Sequence, residues 1–90
     1  MSNFNYKITY SYLQSFPKIK GSKTKLIKQT VNLGFDFEPT DDDIERKVKE
    51  WVDVVQRKVM NDLEAKIEFH EILNSKKLKV VKGIVHINLD

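Results

Sequence analysis

Five lysines crowd one short stretch of the chain. Lys18, Lys20, Lys23, Lys25 and Lys28 fall among Phe16-Pro17 and Gly21-Ser22, with no acid nearby. Ammonium groups at this density, on a segment interrupted by proline and glycine, can follow a row of phosphates. The affinity would be indifferent to sequence and sensitive to salt. The plain alternative is a solubilising loop. Within this stretch Gly21-Ser22-Lys23-Thr24 has part of a phosphate-binding loop. That loop needs a glycine directly before its lysine and another five positions upstream, and here Ser22 and Phe16-Pro17 stand there instead. A hairpin loop is the reading.

Four further groups could carry chemistry. Asp41, Asp42 and Asp43, with Asp36 and Glu38, could hold a hard cation through oxygen, but three consecutive residues point in different directions. Favourable charge at a helix start accounts for them without a metal. His70 and His86 could meet on neighbouring strands, yet zinc needs about four ligands and only Glu68 and Glu71 lie close in sequence. Tyr6, Tyr10 and Tyr12 with Phe4 could stack bases, but they share the alternating face that belongs in a core. Trp51, on a helical stripe, reads as a core anchor. No set of residues supplies a nucleophile, a base and an oxyanion site together, so an enzyme is not expected.

The elements that must position these residues are legible from period. Phe4, Tyr6, Ile8, Tyr10 and Tyr12 alternate with Asn5, Lys7, Thr9 and Ser11, and Ile27, Val31, Leu33, Phe35 and Phe37 repeat the pattern. Both predict half-buried strands, joined as a long antiparallel hairpin by the basic loop. Gly34 predicts a bulge or a close helix crossing. Pro39-Thr40-Asp41-Asp42-Asp43 marks a helix start, with Thr40 as cap and Asp43 as an imperfect capping-box partner. Ile44, Val48, Trp51, Val52, Val55, Val59 and Leu63 then form one apolar stripe, a helix of ~34 Å from Asp41 to about Leu63. Each hairpin strand would run ~40 Å, so one helix can cover the hairpin. Ala65–Leu73 is read as a third strand because Ile67 and Phe69 alternate, with helix as the competing assignment. Asn74-Ser75-Lys76-Lys77 reads as a turn and Leu78–Leu89 as a fourth strand, with a bulge at Lys82-Gly83.

The expected fold is therefore α+β, a small single domain over residues 1–90. It is a β-β-α-β-β antiparallel sheet with one long helix packed on one face. The 90 residues include no cysteine, which excludes disulfides and thiolate chemistry. No apolar run reaches the ~18 residues of a membrane span, and Met1–Tyr12 lacks a signal-peptide core, so a cytoplasmic location is expected. The net charge of +3 hides an asymmetry: residues 1–35 carry six lysines and no acid, whereas residues 36–45 carry six acids and no base. Arg46 and Arg57 are the only arginines, which lowers the odds of base-specific nucleic-acid reading.

These features predict a non-enzymatic module that docks on a macromolecule, with no cofactor, metal, membrane or small-molecule substrate. Protein is the favoured partner, met through a sheet edge offered by the first or the C-terminal strand and by the charged patches. Such a module suits a small accessory, adaptor or inhibitor protein, of the kind phages and mobile elements carry, acting as monomer or homodimer. The alternative is non-specific nucleic-acid binding by Lys18, Lys20, Lys23, Lys25 and Lys28 together with the polar sheet face.

Overall fold

Alternation builds the first two strands as expected. The computed structural model describes residues 4–81 and 84–87, the stretches 79–81 and 84–87 by their backbone. Strand β1 spans Phe4–Ser15 and strand β2 Lys25–Phe35, paired antiparallel from Phe4 opposite Phe35 to Gln14 opposite Lys25 without a slip. Gly34 sits in regular register opposite Asn5, so the bulge expected there is absent. The connecting loop is two hydrogen-bonded turns, Ile19 N–H to the Phe16 carbonyl at 3.0 Å and Ser22 N–H to the Ile19 carbonyl at 3.2 Å. Gly21 supplies the φ of +81° that the second turn needs at its third residue.

Helix α1 spans Asp41–Val55 and starts where the sequence marks it. The Asp43 N–H donates to Thr40 Oγ1 at 3.2 Å and the Thr40 N–H donates to Asp43 Oδ2 at 3.0 Å, a complete capping box with aspartate in the glutamate's place. Ile44, Val48 and Val52 turn inward at four-residue steps and are buried. Full burial of such a side chain is worth ~1.5–3 kcal/mol over leaving it exposed.

The helix does not run to Leu63. After Val55 it widens into a π turn, Gln56–Met60, closed by the Asn61 N–H on the Gln56 carbonyl at 2.9 Å. One extra residue per turn shifts the phase, so Met60 reaches the core in the place the α-helical stripe gives to Val59. Val59 and Leu63 are exposed. Glu64, at a φ of +54°, then turns the chain into the sheet.

Strand β3 spans Lys66–Val81. The strand reading of the region after Ala65 stands, but the turn expected at Asn74–Lys77 does not exist. Those residues pair with β1, Asn74 opposite Thr9 and Lys77 opposite Tyr6, and cross-strand pairing overrides their turn-like composition. Two register shifts interrupt the ladder, leaving Leu73 and His70 as the extra residues. A short strand β4, Ile84–Ile87, folds back on the end of β3, with Ile87 opposite Leu78. The slip expected at Lys82-Gly83 lies outside the described residues. The expected β-β-α-β-β order is thus not matched as drawn, because Leu78–Val81, expected to open the fourth strand, belongs to β3. The fold is a small α+β arrangement of three long antiparallel strands, with this four-residue segment at one side and helix on one face.

The strand order is β2-β1-β3-β4, so β1 lies at the centre. Its Ile8, Tyr10 and Tyr12 join Phe35, Ile67 and the helix residues Ile44, Val48 and Val52 in the core. The aromatic β1 face is therefore core, as its alternation predicts. Lys7 and Thr9 of β1 and Lys28, Thr30 and Asn32 of β2 occupy the opposite, open face by register, on which Ser11 is itself buried.

A candidate binding edge beside Trp51

The central position of β1 removes one expected surface: paired with β2 on one side and β3 on the other, it offers no edge. The outer edges belong to β2 on one side and to β3 with β4 on the other. They differ sharply. On β3 the front end is occupied by a side chain: Ile67 N–H donates to Gln56 Oε1 at 2.7 Å, and Gln56 Nε2 donates to the Ala65 carbonyl at 2.9 Å. The middle is broken by the two bulges and the far end pairs with β4. Bulges and covered ends are the devices that keep an edge from recruiting another strand. Strand β2 has none of them. Its eleven residues run without bulge or proline, and among the described residues nothing pairs with its outer side.

The face beside this edge is incompletely covered. α1 packs nearest β3, leaving Ile27, Val31 and Leu33 of β2 half-buried. A hollow of about 170 Å³ between helix and β2 is lined by Tyr10, Tyr12, Val31, Trp51, Val55 and Met60, among others. Trp51 is 37% exposed, not the core anchor its stripe position implied. Its indole lines this hollow together with the Tyr10 ring. Burial pushes the Tyr10 hydroxyl above its ordinary pKa, the neighbouring Trp51 works against that rise, and Tyr12 adds to it. In a separate hollow, lined also by Asp43, Arg46 and Lys47, Phe37, 54% exposed, meets Phe35 edge-on at 6.1 Å.

The five lysines do not form one site. Lys18 pairs with Glu64 at 3.5 Å, across the surface from loop to the turn after the helix. Lys20, Lys23 and Lys25 line one open hollow of about 420 Å³ at the hairpin tip, floored by Phe16 and Ile19. Lys25 lies opposite Gln14 and Lys28 opposite Ser11, which puts them on opposite faces of the sheet. The tip is thus a basic end to β2, and Asp36 and Glu38 make an acidic end beyond Phe35.

The acids of the helix start serve the helix. Hydrogen bonding from the Thr40 backbone, then from its side chain, with help from Arg46, holds the Asp43 carboxyl below its usual pKa. His70 and His86 are not brought together: His70 is at a bulge, its Nδ1 3.1 Å from Ser11 Oγ, while His86 pairs opposite Lys79, nine residues or ~30 Å further along β3. Among the described residues no three His, Asp or Glu side chains are placed to hold a metal ion, and no buried polar side-chain atom lacks a partner. No helix of the described residues is long and apolar enough to cross a membrane. No protein-family model, curated protein or solved structure matches the chain.

Sequence reasoning found the lysines and the capping acids but missed Gln56, Trp51 as a surface residue and β2 as the open edge. The exposed position of Trp51 follows from the edge, because a helix seated over β1 and β3 cannot also cover β2. The strand order that reveals this is set by long-range pairing, which period alone does not encode.

Proposed function

We propose that this protein is a non-enzymatic docking module that takes an extended segment of a protein along the β2 edge. The observation that carries the reading is the contrast between the two outer edges: β3 is covered at both ends and bulged in its middle, and β2 is regular, unpaired among the described residues and flanked by half-buried Ile27, Val31 and Leu33. Strand addition draws affinity from backbone hydrogen bonds, and specificity from side-chain hollows beside them. The Trp51–Tyr10 groove supplies one such hollow, and tryptophan and tyrosine are frequent binding anchors. Affinity capture with the wild-type protein, compared with Val31→Lys protein of unchanged circular dichroism, tests it. The bound protein is expected to be lost with the variant, and identical capture by both contradicts the reading.

A second reading, docking on a nucleic-acid backbone from the open face, is favoured by one observation. Lys7 and Lys76 stand directly opposite each other on that face, and like charges so placed repel unless an anion joins them. Binding to labelled DNA that is strong at about 50 mM salt and collapses at about 200 mM would support it. No binding at the lower salt would remove it.

A further inference from the structure

We propose that the segment accepted by the β2 edge is β2 of a second copy of this chain, in antiparallel register centred on Thr30. The inference rests on the docking reading above and names its partner. Opposed residues in an antiparallel pair share a face, so self-pairing must match odd with odd and even with even. Centring on Thr30 uses all eleven residues of Lys25–Phe35. It sets Ile27 against Leu33 and Gln29 against Val31 on the helix face, and Lys28 against Asn32 on the open face. No lysine meets a lysine. Centring on Lys25 or Lys28 would set each against itself, a destabilising arrangement.

The charge distribution selects the same register. At each end of the paired strands Lys25 of one copy stands opposite Phe35 of the other, next to its Asp36, and the two-fold axis repeats the contact. Lys25, with Lys23 just before the strand, is therefore brought to the acidic end that Asp36 and Glu38 form, at both ends of the pair. Lys25 falls opposite Phe35, and the Lys23 stem next to it lies near enough to cover Phe37, which is 54% exposed in the single chain. The abrupt change from six lysines in residues 1–35 to six acids in residues 36–45 thereby acquires a role. It makes β2 self-complementary, basic before and acidic after. The joined sheet carries both helices on one face, with the two Trp51 grooves meeting across the axis.

Sedimentation equilibrium on the full chain tests this with two charge-reversed proteins, Lys23→Glu with Lys25→Glu, and Asp36→Lys with Glu38→Lys. The wild type is expected at twice 10.6 kDa, weakening as salt rises. Each variant alone sets like charges together at both ends and should dissociate about a hundredfold more readily. An equimolar mixture of the two restores opposite charges at both ends and should recover the dimer mass, which also shows that both variants fold. A wild type that stays at 10.6 kDa up to about 500 μM overturns the second copy as partner, while the capture experiment above still decides the edge itself. A dimer indifferent to both variants, with β2 substitutions equally silent in capture, overturns the register and the edge reading together.

Discussion

The carboxamide of Gln56 is bound to the backbone of Ile67: the Ile67 N–H donates to Gln56 Oε1 at 2.7 Å, while Gln56 Nε2 donates to the Ala65 carbonyl at 2.9 Å and to Asn61 Oδ1 at 2.7 Å. One side chain thus ties the end of the helix to the start of β3 and fills hydrogen-bonding positions that another strand would otherwise claim. The π turn places it there, because Gln56 opens that turn.

Replacing Gln56 with alanine leaves a part-buried donor and acceptor without partners. The expected cost is about 1–3 kcal/mol. At roughly 4–8 °C per kcal/mol for a domain of this size, thermal unfolding followed by circular dichroism should show a clear drop in Tm. Gln56→Glu retains an acceptor for Ile67 but loses the donor to Ala65, and should fall between wild type and alanine.

The phase shift gives a second test. Val59→Lys changes an exposed position and should alter stability by no more than about 0.5 kcal/mol. Met60→Lys puts a charge against the core and should destabilise substantially more. A continuous α-helix to Leu63 would predict the reverse order in urea unfolding.

The capping box gives a pH dependence. The folded Asp43 pKa lies below its unfolded value, so its contribution is present above the ordinary aspartate pKa of ~4 and is lost as pH falls through the folded value. Urea midpoints measured from neutral pH into acid should fall less steeply for Asp43→Asn than for wild type. Thr40→Ala should cost ~1 kcal/mol at neutral pH through loss of the cap.

Legibility in the sequence divides along local and long-range physics. The alternation of Phe4–Tyr12, the capping signal at Thr40–Asp43 and the strand at Ile67 and Phe69 rest on neighbours in the chain and could be read there. The Asn74–Lys77 segment could not, since its turn-like residues are held extended by Thr9, Ile8, Lys7 and Tyr6 of a distant strand. The π turn was equally hidden, because Val59 and Met60 both offer apolar side chains and only the packing chooses between them. Of the candidate site, the basic and acidic blocks were visible, but their placement at opposite ends of one open edge required the strand order.

That order also places Thr9 in the middle of the sheet. Proline there, in a strand paired with both Thr30 and Asn74, should unfold the protein and not merely silence a binding edge. Thr30→Asp, on the edge strand, should fold normally and yet disrupt the two-copy complex, because the axis passing through residue 30 sets two carboxylates together. Circular dichroism and sedimentation distinguish the two.

Amide hydrogen exchange along β2, recorded over a range of protein concentrations, tests the docking edge most directly. Amides pointing at β1 should be protected at every concentration. Those pointing outward, at every second residue, should gain protection as concentration rises and lose it in the Lys23→Glu, Lys25→Glu protein. Outward β2 amides that exchange freely at all concentrations, or concentration-dependent protection confined to β3, would contradict the account.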